Sequence, residues 1–194
     1  SRKHENAFAG ATEAPAGRVP KKNPDRTIST EGRTINDMRI ANLAGHKMDH
    51  PPAAQARHRQ IARLVLWWEA RHPGVKRVIT KRDVSRAFNW TRLVPRDVKD
   101  FIVPIHGHGV SDVPEVLIVS LVMPFGWNGA PGEYMGQAWG AKLVHQSYRP
   151  AEAKRDDTVH FGAKWLMDGP VIVEPLVGLR PWLSAQCLEQ SMHR

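Results

Sequence analysis

Cysteine is almost missing: the 194-residue chain has one, Cys187. That excludes an internal disulfide and a cysteine-rich metal site, and leaves a buried small hydrophobe in a reducing compartment as its expected role. Long apolar runs are missing too. The longest, residues 116–123, is interrupted by Ser120 and falls far short of the roughly 18 to 20 residues that a membrane-spanning helix needs. The charged first residues, 1–5, have no apolar stretch behind them, so the sequence given holds no secretory leader. The expected setting is therefore cytoplasmic or nuclear, with no membrane partner. Acids are scarce as well. Asp and Glu number 19 against 28 Lys and Arg, a net charge of +9 and a sequence pI near 10.1. Such an excess favours a polyanionic partner, because each phosphate neutralised by a cation releases condensed counterions.

What is present belongs to a folded protein. Hydrophobic residues make up 41% and charged residues 24%, which excludes disorder of the whole chain. The length suits one domain, or one domain with a small appendage. Residues 1–18 are rich in Ala, Gly and charge without a period and read as a flexible arm. Residues 33–39 read as a strand with Ile35 inward. Ile61, Leu64, Val65 and Trp68 recur at the spacing of one apolar helical face, predicting a helix over 53–71 that ends at His72-Pro73-Gly74. Residues 75–84 predict a strand. So do 113–123, the second nearly continuously apolar and of the kind buried on both faces. A tight loop, 124–131, opens a helix over 131–145, where Pro131 costs nothing because its N–H would lack a partner anyway. Two apolar runs, 163–167 and 171–173, flank Asp168-Gly169-Pro170 and predict a hairpin turning on Asp168-Gly169. The tail from 175 predicts one more helix. His106-Gly107-His108 is read as a surface loop without further ligands, and most of the seven Trp as structural. There is no internal repeat and no low-complexity segment.

Two acids stand at strand-associated points, Asp83 after residues 75–82 and Asp168 in the hairpin turn. If those strands pair in one sheet, the two carboxylates meet at its rim. Hard divalent cations take such oxygen ligands, commonly one or two carboxylates plus substrate phosphates.

Four segments, in order, carry a resemblance. Val19-Pro20-Lys21-Lys22 is followed by Arg33-Thr34-Ile35-Asn36-Asp37-Met38-Arg39-Ile40-Ala41-Asn42, a basic pair and then R-x-x-x-D-x-R-x-x-N. Asp83-Val84-Ser85-Arg86-Ala87-Phe88 reads D-x-x-x-A-[FY]. Met123-Pro124-Phe125-Gly126-Trp127-Asn128-Gly129-Ala130-Pro131, followed by Tyr134, reads L-P-F-G-x-x-x-A-P-x-x-F with Met at its first position. Leu166-Met167-Asp168-Gly169 occupies the place of Y-x-D-D ahead of an apolar run. The chain thereby resembles the fingers and palm of reverse transcriptases of the retroelement and retroviral type over about 19–174. Singly only the third motif is specific; the order and the spacing of 85 positions between Asp83 and Asp168 strengthen the set.

The resemblance implies an α+β fold, a right-hand polymerase palm of antiparallel sheet packed on helices with a partial fingers subdomain. It divides the chain into an arm (1–18), fingers with the first palm helix and strand (19–82), and an incomplete palm (83–194). It implies template-directed nucleotidyl transfer with two Mg²⁺, a primed RNA or DNA template and deoxynucleoside triphosphates. Asp83 and Asp168 would be the catalytic metal ligands, helped by the main-chain carbonyl of Val84. Phe88 would be the aromatic gate that excludes a 2′-hydroxyl, a reading that also disfavours an RNA-directed RNA polymerase. Arg33 and one of Lys21 or Lys22 would grip the triphosphate. Phe125 and Gly126 would form the floor of the nucleotide pocket. Two departures open an alternative. Gly169 replaces the second acid of the fourth motif, and the residues after Asp168 do not suffice for a thumb, so further domains of a polyprotein are expected to be missing. A non-catalytic nucleic-acid-binding remnant therefore stands beside the polymerase as a second reading. The bland reading of each residue is also open: a hairpin turn for Asp168-Gly169, a core aromatic for Phe88, a solvated face for the cations.

Overall fold

Backbone hydrogen bonding organises the described residues into three small antiparallel sheets and a set of helices, an α+β arrangement. The computed structural model describes residues 11, 13–105, 116–151, 157–167 and 169–193; His106 and His108 lie outside them. The described helices, in chain order, are α1 (Arg39–Ala44), α2 (His58–Arg71), α3 (Ala130–Ser147) and α4 (Arg180–Met192). The strands are β1 (Ala16–Lys22), β2 (Ile28–Asn36), β3 (Arg77–Lys81), β4 (Ile102–Ile105), β5 (Val116–Val119), β6 (Ala163–Leu166) and β7 (Gly169–Pro175). No helix among the described residues is long and apolar enough to cross a membrane. The chain packs as two units: residues 1–50 with 88–130, and residues 51–87 with 131–194.

In the first unit β1 and β2 form an exposed hairpin, paired from Ala16 opposite Asn36 to Lys22 opposite Ile28, with an irregularity between Pro20 and Lys22. Its turn is held by Asp25, whose Oδ1 accepts from the Thr27 amide at 3.0 Å and hydroxyl at 2.6 Å. Structure begins earlier than composition indicates, since Ala14 is buried and its N–H donates to the Ile102 carbonyl at 2.8 Å. The strand expected over 33–39 instead spans Ile28–Asn36. Ile35 is exposed rather than inward, because this two-stranded ribbon has no sheet behind it to bury a face. Residues 116–119 correct another expectation. Among the described residues they pair only with β4, and Val116, Leu117 and Ile118 stay 39–49% exposed. One core cluster of this unit is Ala14, Met38, Ala41 and Phe101, with Leu93 and Trp127 against it.

In the second unit the strand order is β3-β7-β6, all antiparallel, with Lys81 opposite Val171 and Leu166 opposite Gly169. Every residue of β7 is buried. Helices α2 and α4 pack against that strand, and the Trp68 indole N–H donates to the Val173 carbonyl at 2.7 Å. Helix α2 starts at His58 rather than at 53, because the Ala56 N–H is drawn instead to the Trp165 carbonyl, 2.7 Å away.

Polar groups are buried behind β7. Arg180 Nε donates to Glu174 Oε2 at 2.5 Å, and its terminal nitrogens donate to Asp157 Oδ2 (2.7 Å) and to the carbonyls of Val159 (2.9 Å) and His160 (3.0 Å). The guanidinium also lies over the Trp68 ring, 4.6 Å from its centroid. Ser184 Oγ donates to Glu174 Oε1 at 3.0 Å. His145, fully buried, has Nε2 3.1 Å from the Ser184 carbonyl, which can only accept, so Nε2 carries the proton. Its Nδ1 then holds a lone pair with no partner among the described residues.

Burial above all, reinforced by the Arg180 charge, drives the His145 pKa down to about 4, although the bond to Ser184 pulls the other way. The folded chain therefore keeps this imidazole neutral while an unfolded one gains a proton near pH 6.5. Stability from this group is intact above pH 6.5 and is lost as the pH falls toward 4, by up to about 3 kcal/mol. Urea midpoints measured between pH 7.5 and 4 should fall accordingly, and the His145 ring signals should titrate near 4. A titration near 6.5 would show that the ring is not sealed from water.

Candidate functional site

The strand that leads to Asp83 and the hairpin that leads into and out of position 168 are neighbours in one sheet. Pairing of β3 with β7 continues one residue further, where the Arg82 N–H donates to the Pro170 carbonyl at 3.0 Å. The chain leaving β3 thus emerges at the end of the sheet where β6 turns into β7. Asp83 follows with an exposed side chain, and Val84 is half-buried. Asp168 itself lies outside the described residues. Among the described residues no group of three or more His, Cys, Asp or Glu could hold a metal ion.

The hairpin turns one residue earlier than its sequence signal indicates. Strand pairing runs to Leu166 and resumes at Gly169, and Met167 adopts a left-handed φ of +46°. Gly169 belongs to β7. A Cβ there would lie 2.8 Å from the Arg82 carbonyl oxygen and 3.1 Å from Lys81 Cε. The close approach of β3 explains why glycine stands where a second acid is expected by resemblance: a side chain at this position has no room against backbone. Gly169→Ala should destabilise the chain by about 1–3 kcal/mol, the usual cost of forcing atoms into a packed contact, and Gly169→Asp by at least as much. Unchanged urea midpoints for both would mean that β3 yields freely.

The remaining candidates are in the other unit. Phe88 sits in a short 3₁₀ turn, Ala87–Trp90, half-buried, with its ring centroid 5.5 Å from that of Phe125. These two are brought together; Phe125 is otherwise 68% exposed. Gly126 follows with φ +98°, a conformation that favours glycine. Asn42 clamps this loop from both sides: its Nδ2 donates to the Gly126 carbonyl at 3.0 Å and its Oδ1 accepts from the Asn128 N–H at 2.8 Å. Asn42 is a positioning residue that reasoning on the separate motifs missed. It closes the R-x-x-x-D-x-R-x-x-N pattern, and only folding reveals that its target is the P-F-G loop. Asp37 and Arg39 of the same pattern pair bidentately, Arg39 Nε lying 2.9 Å from Asp37 Oδ1 and a terminal nitrogen 2.6 Å from Oδ2. Hydrogen bonds from Arg39 hold the Asp37 carboxyl below the usual range.

On the hairpin, Lys21 Nζ pairs with Glu31 at 3.2 Å, whereas Lys22 is exposed and has no ion pair among the described residues. Arg33 lies in β2, its backbone opposite Val19. Tyr134, matched to the aromatic of the third motif, is buried in α3. The Trp residues divide: Trp68 and Trp165 are buried, whereas Trp67, Trp90, Trp139 and Trp182 are 44–60% exposed. No model of a known protein family matches the chain, and no curated protein matches it in sequence.

Proposed function

We propose that the chain is the fingers and palm portion of an RNA-directed DNA polymerase, adding deoxynucleotides to a primer on an RNA or DNA template. The observation that carries this reading is the antiparallel pairing of β3 with β7. It makes neighbours of the segment ending in Asp83 and the hairpin bearing position 168, 85 positions apart in the chain. Nucleotide addition is an in-line displacement at phosphorus, which asks a protein to position groups and neutralise charge rather than to react.

An exposed carboxylate at Asp83, the carbonyl of Val84 and the carboxylate of Asp168 would together supply an all-oxygen donor set, the kind Mg²⁺ takes. A bound pair of such ions would supply charge neutralisation on the triphosphate and a lowered pKa at the primer hydroxyl. By the resemblance, Phe88, whose ring contacts that of Phe125, would be the gate against a 2′-hydroxyl. Gly126 would let the backbone approach that nucleotide closely, with Asn42 keeping the loop rigid. Of the two lysines, Lys22 suits the triphosphate better because Lys21 is already engaged by Glu31, and Arg33 would add its fork.

Extension of a labelled primer on polyadenylate, with Mg²⁺ and thymidine triphosphate, tests the reading. Extension is expected, weaker by at least about tenfold with uridine triphosphate, which one steric clash of about 1.4 kcal/mol already produces. One observation favours a second reading, a nucleic-acid-binding remnant without turnover: Gly169 leaves no space for the second carboxylate. No extension together with retained RNA binding would decide for the remnant.

A further inference from the structure

Helix α2 has two unlike faces. One is spent on the fold: Trp68 is 2% exposed against β7, and Ile61, Leu64 and Val65 are half-buried. The other carries Arg59, Arg63, Trp67 and Arg71, four residues at successive i, i+4 positions and all exposed. Such positions form one ridge along a helix, repeating about every 6 Å and here spanning about 18 Å. The Arg71 guanidinium lies over the Trp67 ring, 5.5 Å from its centroid, and steadies an indole that is 44% exposed beside the more exposed Leu66. Nothing on the helix offsets the charge. Its one acid, Glu69, pairs with Arg77 of β3 and accepts from the Gly74 N–H at 3.2 Å. Arg59, Arg63 and Arg71 have no carboxylate partner among the described residues.

We propose that this Arg59, Arg63, Trp67 and Arg71 ridge docks single-stranded nucleic acid, the guanidinium groups taking phosphates and the indole taking a base face. Charge selects a polyanion, and the ridge offers three cations over about 18 Å to the phosphates of one strand. Alternation of cations with an aromatic suits a strand whose bases are free to stack. A lipid surface fits less well, since a helix lying in a membrane interface inserts its apolar face, and here that face is already packed on the sheet. The inference rests on α2 alone and stands whether or not the chain polymerises.

Fluorescence anisotropy with a labelled oligothymidylate of about 20 nucleotides tests it on the full chain. The triple variant Arg59→Gln/Arg63→Gln/Arg71→Gln should raise Kd at least tenfold near 0.1 M salt. Its plot of log Kd against log salt should be shallower by about 2, since each lost phosphate contact on a single strand removes about 0.7. Trp67→Ala should raise Kd about fivefold or more. Thermal melts of the triple variant should nearly match the parent, because the replaced groups are exposed and have no carboxylate partner among the described residues. Absent binding by the parent chain, or a triple variant within twofold of it with the same salt slope, overturns the proposal. So does binding to phosphatidylcholine vesicles containing phosphatidylserine that the triple variant loses while oligothymidylate affinity stays unchanged. Retained oligothymidylate binding by an Asp83→Asn chain keeps this inference separate from the fate of the polymerase reading.

Discussion

On the polymerase reading proposed above, replacing Asp83 by asparagine should lower Mg²⁺-dependent primer extension by about a thousandfold or more, while leaving the melting curve in place. Asparagine keeps the size and one oxygen of the side chain but removes the negative charge that a hard divalent cation seeks. Stabilisation worth several kcal/mol at the reacting phosphate would be lost with it on that reading, and each 1.36 kcal/mol is a factor of ten in rate. Stability should shift by no more than about 0.5 kcal/mol, the usual range for a surface side chain that holds nothing in place; Asp83 is exposed and makes no hydrogen bond or ion pair among the described residues. Rates for the parent and the variant would be measured under single-turnover conditions with Mg²⁺ titrated. A variant within tenfold of an active parent would remove Asp83 from the metal site and leave the sheet neighbourhood without chemical consequence.

The second large effect concerns stability. Arg180→Ala should cost about 3–5 kcal/mol, since deleting one member of a buried, hydrogen-bonded ion pair strands the other. Glu174 would then stay inside without its cation. Burial already pushes its carboxyl pKa upward, and Arg180 is the main opposing influence. The loss reaches further than one pair, because Arg180 also ties down Asp157, Val159 and His160 and covers the Trp68 ring. Against a typical total of 5–15 kcal/mol, the variant is expected to be close to unfolded at 37 °C. Glu174→Leu combined with Arg180→Met should recover much of the deficit, as paired apolar replacements of buried ions commonly do. Urea titration of the three chains decides. A single variant within 1 kcal/mol of the parent would mean that water reaches Glu174 and relieves it.

Particular residues show where reading the chain succeeds and where it stops. Helix α2 was legible because Ile61, Leu64, Val65 and Trp68 repeat with the period of the helix itself, a local property. Its start was not legible, because the Ala56 N–H is claimed by Trp165, more than a hundred residues away. The apolar run at 116–119 indicated a strand correctly and its burial wrongly: hydrophobicity reports what a segment could bury, not whether a second layer comes to cover it. The hairpin at 163–175 was legible from its flanking runs, yet its turn falls one residue early, since β3 presses on Gly169 and keeps that residue in the strand. Asn42 and the P-F-G loop both stand out in the sequence, but nothing local says that one holds the other. The Arg180, Glu174, Ser184 and His145 network left no mark, because polar residues inside apolar stretches look alike whether they face water or each other.

By itself the sequence settles charge, the alternation of strands and helices, and the residue types available for chemistry, all of which depend on composition and short-range period. Tertiary structure decides that the chain after β3 comes out beside the β6 to β7 turn, which glycine has to be a glycine, and which polar groups are sealed from water. Those outcomes depend on pairings between segments far apart in the chain, whose energy exists only once both partners are in place.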